Sequence, residues 1–162
     1  MLAKKKLTLM GTIIDEQIES DKDTQQLQTV IDLLHTYKNR YSANDADSEL
    51  MAVNQAAGVK PVNVHSDLLN LIQIGKTHSL STPSNLNIAI GPLVQTWRIG
   101  FEDARVPNHS LISRQLALTD PKQVIIDDKE QTVFLQQAGM ALDLGALAKG
   151  YIACLLYTSP SP

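Results

Sequence analysis

The chain has 162 residues, 43% hydrophobic and 19% charged, which is apolar enough for one globular domain with a buried core and too apolar for disorder throughout. Its formal net charge of -3 gives no general attraction for nucleic acid or anionic lipid, so any phosphate binding must come from local donors or a metal. The single cysteine, Cys154, excludes an intramolecular disulfide and a cysteine-built zinc or iron–sulfur site.

Residues 1–6 are basic, but the apolar run after them is too short and interrupted for a signal-peptide core or a membrane span, and no lipidated cysteine follows. As written the chain reads as cytoplasmic, with an exported location open if sequence is missing upstream. Leu7, Leu9, Ile13 and Ile18 predict one strand over residues 7–19, carrying a Met10-Gly11-Thr12 step where glycine allows close backbone approach. From residue 21 to 39, Leu27, Val30, Ile31, Leu34 and Tyr37 fall at three- and four-residue steps and predict an amphipathic helix.

Residues 41–47 are a polar loop. Ser48 ahead of Glu49 caps a short helix reaching Ala57, which Gly58 stops. Ser66-Asp67 opens another helix, rich in Leu68, Leu69, Leu71, Ile72 and Ile74, and Pro83 ends that region. Residues 87–101 predict strand or loop and then helix, with Pro92 in its first turn, and a short helix follows around residues 110–118. Residues 124–126 and 132–135 flank the turn Asp127-Asp128-Lys129-Glu130 and predict a β-hairpin. A third strand, residues 140–144, then runs into a helix. Helices ahead of strands predict an α+β domain, a mixed sheet with packed helices, over residues 1–153. Residues 154–162 depart from the helical pattern and end in Ser/Pro repetition, so they read as a non-native tail.

The strongest chemical constellation is Asp143-Leu144-Gly145-Ala146-Leu147-Ala148-Lys149-Gly150, where a carboxylate ends an extended segment and small residues open a helix. Such a junction offers backbone N–H groups, a positive dipole end and a nearby ammonium, the pieces that hold a pyrophosphate, a ribose edge or a metal. The same residues also make an ordinary helix start with a capping aspartate and a solvated lysine, and spacing alone leaves both readings open. Neither a P-loop nor a Rossmann glycine fingerprint is present. Gly91-Pro92-Leu93-Val94 with Trp97 offers a wall for an aromatic ring or simply core. His35, His65, His78 and His109 are scattered without metal-ligand spacing, and no nucleophile elbow supports hydrolase chemistry.

Taken in order, Met10-Gly11-Thr12, Ser48-Glu49-Leu50 with Asn54, Ile90-Gly91-Pro92-Leu93-Val94 with Trp97, and Met140-Ala141-Leu142-Asp143-Leu144-Gly145-Ala146-Leu147-Ala148-Lys149-Gly150-Tyr151 resemble successive signatures of the ApbE family. The resemblance runs from Leu7 to Ala153. It implies the N-terminal portion of an ApbE-like, T-fold-like α+β domain that is incomplete at its C-terminus. It also implies an FAD:protein FMN transferase, which moves FMN from FAD to a Ser/Thr hydroxyl of an acceptor flavoprotein and releases AMP with the help of Mg²⁺.

By the same resemblance Met10, Asn87, Asp143 and Lys149 contact FAD, and the backbone carbonyl of Ala146 is a Mg²⁺ ligand, an oxygen donor that suits this hard cation. Asn85-Leu86-Asn87 stands where the family commonly has a small-aromatic-acidic stretch, so contacts there would come from the main chain. Asn44 occupies the place of a frequent tyrosine, with Tyr41 nearby. The family's other Mg²⁺ ligands, an acidic residue and a threonine four positions on, lie in a later segment, which implies little transferase activity from residues 1–162 alone. The acceptor implied is a protein such as a subunit of a membrane redox complex. A Mg²⁺-dependent FAD pyrophosphatase and a flavin-binding protein without turnover remain as alternatives, and no general base is legible.

Overall fold

The structure, a computed structural model, describes residues 2–19 and 21–158, without the side chains of Asp23 and Thr158. It opens on a β-hairpin, β1 (Leu2–Leu9) and β2 (Thr12–Glu19), where the sequence suggests a single strand. The strands pair antiparallel with Leu9 opposite Thr12, leaving Met10 and Gly11 as a two-residue turn. Both turn residues have positive φ, 52° and 68°, the geometry whose twist matches a hairpin. Gly11 therefore serves conformation rather than close approach, since a Cβ there would meet nothing within 4 Å. Thr12, Ile14, Glu16 and Ile18 turn one face of β2 inward, while Ile13 is 61% exposed on the other.

Helix α1 (Asp23–Tyr41) follows its predicted periodicity and buries Leu27, Leu34, Tyr37 and Tyr41. The predicted cap of α2 (Glu49–Gln55) forms as expected, with Ser48 Oγ accepting the Met51 N–H at 3.0 Å. That hydroxyl also donates to the Ser42 carbonyl at 2.5 Å, so one buried serine fixes both ends of the loop between α1 and α2. Helix α3 (Ser66–Leu80) starts as predicted, but its cap is His65, whose Nδ1 accepts the Asp67 N–H. A 3₁₀ turn at Ile88–Ile90 leads into α4 (Gly91–Trp97), with Pro92 in the first turn, and α5 (His109–Leu116) follows.

The predicted hairpin is β4 (Val124–Asp127) with β5 (Thr132–Leu135), and the short β3 (Val62–Asn63), absent from the sequence reading, pairs with β5 on its other side. The α+β class holds. Among the described residues every strand pair is antiparallel, in two separate sheets, rather than in one mixed sheet.

The expected third strand does not form a ladder. Residues 140–144 are extended and alternate as a strand does, with Met140, Leu142 and Leu144 each 2% exposed or less. Their hydrogen bonds go elsewhere: the Asn54 side chain takes the Leu142 N–H at 2.7 Å and donates to the Leu142 carbonyl at 3.0 Å. The Asp143 N–H donates to the Ile88 carbonyl at 2.9 Å. A side-chain amide thus stands in for a neighbouring strand, satisfying the main chain of a fully buried residue.

Helix α6 (Gly145–Thr158) continues through Cys154, where the sequence pattern suggests a break, and residues 159–162 of the expected tail lie outside the described residues. Leu50, Val53, Leu68, Leu71, Ile72, Ile88, Val124, Val133 and Leu135 join Met140, Leu142, Leu144, Ala148 and Ile152 in one core, against which Leu7, Leu9, Met10 and Ile14 of the hairpin pack. Among the described residues no helix is long and apolar enough to cross a membrane.

Candidate functional site

Three segments remote in sequence meet at a cleft of about 280 Å³. The hairpin turn contributes Met10 and Gly11, the end of α1 and its following loop contribute Lys38, Tyr41, Ser42, Ala43 and Asn44, and the start of α6 contributes Asp143, Gly145, Ala148 and Lys149. Met10 and Lys149 also line an adjoining, mostly apolar cavity of about 160 Å³ between β2 and α6, whose wall includes Glu16. Burial of that carboxyl holds its pKa above the usual glutamate range.

Alternation explains how Asp143 reaches the cleft. Its neighbours Leu142 and Leu144 point into the core, so the residue between them faces the opposite way. Asp143 Oδ1 accepts the Gly145 N–H at 2.8 Å, which orients the carboxylate over the first turn of α6. The side chain that makes the turn into α6 therefore also lines the cleft. Lys149, exposed and one turn further along α6, lines the cleft with it.

Of the residues singled out from sequence, Met10, Asp143 and Lys149 come together. Asn87 does not join them. Its amide donates to the Thr119 carbonyl at 2.8 Å and its Oδ1 accepts the Ala89 N–H at 2.9 Å, shaping the turn whose Ile88 carbonyl holds the Asp143 backbone. Asn87 acts on the site from behind. Ala146 is exposed in the first turn of α6, beside Gly145 but outside the cleft lining. Trp97 sits in a separate apolar groove with Ile90, Leu93, Val94 and Ile99, so it is no wall of this cleft. Among the described residues no three His, Cys, Asp or Glu side chains gather closely enough to hold a metal ion.

The floor near α1 is aromatic. Tyr41 stacks on Tyr37 with ring centroids 5.6 Å apart and meets Tyr151 of α6 edge-on at 6.3 Å. Arg40, beside them, pairs with Glu49 at 3.4 Å and Asp67 at 2.7 Å, tying α1 to the starts of α2 and α3. The Tyr41 hydroxyl is buried with no hydrogen-bond partner.

Burial, reinforced by the Asp67 charge, pushes the Tyr41 phenol far above its ordinary 10.0, and it raises Tyr37 and Tyr151 as well. Tyr41→Phe removes only the unsatisfied oxygen, so its unfolding free energy in urea is expected to equal the wild type's or exceed it by about 1 kcal/mol. Below pH 10 both folded and unfolded states hold these protons. Above it the unfolded chain releases them first, so stability falls as pH rises, and the fall is expected to be shallower in Tyr41→Phe. Urea midpoints at pH 8 and pH 10.5 check both expectations.

The ApbE family model matches residues 10–157. The chain belongs to the ApbE family. An FAD:protein FMN transferase of Klebsiella pneumoniae (strain 342) is 46% identical over 145 residues, covering 90% of this chain and 46% of the relative. One from Treponema pallidum (strain Nichols) is 34% identical over 154 residues, covering 90% and 42%. The chain thus spans about half the length of the curated ApbE relatives it matches. In structure it resembles the ApbE protein of Thermotoga maritima, with a TM-score of 0.87 at 23% identity over 96% of this chain and 51% of that one. The flavin transferase ApbE from Vibrio cholerae gives 0.85 at 24% over 97% and 52%. These likenesses show the ApbE fold.

Sequence reasoning missed Lys38, Ser42 and Ala43. The Ser48 cap was the available signal, because a serine whose hydroxyl faces back along the chain also fixes where the preceding loop must lie.

Proposed function

We propose that this chain forms the FAD-binding half-site of an FAD:protein FMN transferase. The observation that carries the proposal is the convergence of Met10, Asp143 and Lys149, from opposite ends of the sequence, on one cleft. Small-molecule sites run from about 300 to 1,000 Å³, so the cleft admits part of a dinucleotide and the adjoining cavity offers room for more. Asp143 receives a hydroxyl or amine edge of the ligand and Lys149 an anionic oxygen.

The Ala146 carbonyl, in the first turn of α6, would be this segment's Mg²⁺ ligand, an oxygen donor that suits a hard cation whose remaining positions would go to water, substrate phosphates and ligands outside this segment. When bound, the ion neutralises charge on the pyrophosphate. In the reaction an acceptor Ser/Thr oxygen bonds to the FMN-side phosphorus, the bond from that phosphorus to the bridging oxygen breaks, AMP departs with that oxygen, and the hydroxyl proton passes to solvent. The acceptor is a flavoprotein such as a membrane redox-complex subunit.

The test uses the full-length protein carrying this segment, with FAD, Mg²⁺ and an acceptor protein. Covalent flavin on the acceptor, matched by released AMP, is the expected result. Free FMN formed without acceptor means hydrolysis instead, and FAD binding indifferent to Mg²⁺ without turnover means a carrier. Lys149→Met and Asp143→Asn are each expected to weaken FAD about tenfold in a flavin-fluorescence titration, with far-ultraviolet circular dichroism unchanged.

A further inference from the structure

Among the described residues, the cleft is lined by one lysine or arginine besides Lys149. Lys38 reaches it from the last turn of α1, across from the start of α6. Its Nζ lies 2.5 Å from Asp45 Oδ2, with the two side chains 35% and 29% exposed. Lys38 lines the cleft, whereas its partner Asp45 is not among the lining residues. Asp45 is itself fixed, because its Oδ1 accepts the Asp47 N–H at 3.3 Å within the loop. Lysine, by contrast, carries its charge on a four-carbon stem that pivots readily.

Lys38 and Lys149 therefore line the cleft from two elements, together with the carboxylate Asp143, in a chain whose overall charge is -3. A local pair of ammonium groups is what an anionic ligand needs when the whole molecule offers no attraction. Lys38 exchanges one anionic oxygen for another when it turns from carboxylate to phosphate, and the partly exposed Asp45 carboxylate keeps the Asp47 N–H and contact with water.

We infer that Lys38 is a second cationic contact for the phosphate groups of the dinucleotide, paired with Asp45 in this structure and exchanged onto phosphate when the ligand enters. The inference rests on the reading of the cleft as an FAD site.

The experiment titrates the full-length protein carrying this segment, and its variants, with FAD and, separately, with riboflavin, which has the same ring system and no phosphate. Lys38→Met is expected to weaken FAD on the order of tenfold and to leave riboflavin unchanged. Lys38→Arg keeps the charge and is expected to stay within about threefold of wild type, and Asp45→Asn, which frees the ammonium, to tighten FAD by about threefold. The Lys38→Met deficit is expected to shrink in 1 M salt. Equal FAD affinity in Lys38→Met and wild type overturns the inference, as does equal loss of FAD and riboflavin. A wild-type full-length protein that binds neither ligand removes the FAD-site reading itself, a failure distinct from the others.

Discussion

Asn54→Ala is expected to lower the unfolding free energy by about 3 kcal/mol and to weaken FAD binding with it. Asn54 serves both backbone groups of Leu142, a residue with 0% exposure. Alanine leaves an N–H and a C=O buried with nothing to bond, at roughly 1–3 kcal/mol each, partly relieved if water enters the space vacated. For a domain of this size the loss corresponds to a melting temperature about 10 °C lower. Because Leu142 precedes Asp143, the carboxylate loses its fixed position too, so affinity should fall in the fraction that remains folded. Thermal unfolding and an FAD titration at a temperature where the variant is fully folded check the two parts separately. Asn54→Asp, which keeps an acceptor for the N–H but offers none of the donor, should fall between.

The second large effect is expected at Gly58. Its φ is +73°, a conformation that costs a residue with a Cβ about 1–2 kcal/mol, and that Cβ would stand 2.4 Å from the Ala138 nitrogen. The obstacle is backbone, which cannot rotate aside as a side chain would. Gly58 also donates to the Leu135 carbonyl at 2.8 Å, so a shift to relieve the clash strains the end of β5. Conformational strain and overpacking together put Gly58→Ala at about 3 kcal/mol of destabilisation, after the small gain from a stiffer unfolded chain. Urea unfolding measures it. Gly11→Ala makes the contrast, since it has positive φ and open space and should cost only the conformational part.

The legible parts of this fold were those that short-range chemistry decides. Helices α1 and α3 carry their apolar stripes in sequence, Ser48 announces α2, and Asp127-Asp128-Lys129-Glu130 between two β-branched runs announces β4 and β5. The first hairpin was hidden because Met-Gly is not a usual pair for a turn that needs two positive φ angles. Residues 140–144 carry a strand's alternation correctly, but whether an extended segment finds a ladder depends on partners 88 positions away, and here the partner is a side chain. The same distance dependence governs the site. Asp143 and Lys149 lie close in sequence and could be read together, whereas Lys38 and Tyr41 become cleft residues only because α1 packs beside α6. Asn87 shows the converse: a polar residue beside a family motif whose amide is consumed by the turn it builds.

The extended path through residues 140–144 makes the cleft sensitive to parity. Removing or adding one residue between Gly139 and Gly145 would exchange the inward and outward sets, presenting a leucine to the ligand and driving the carboxylate into hydrocarbon, whereas a change of two would restore the original facing. Length variation is thus tolerable here only in even steps, a constraint that a helix, with its fractional repeat, would not impose.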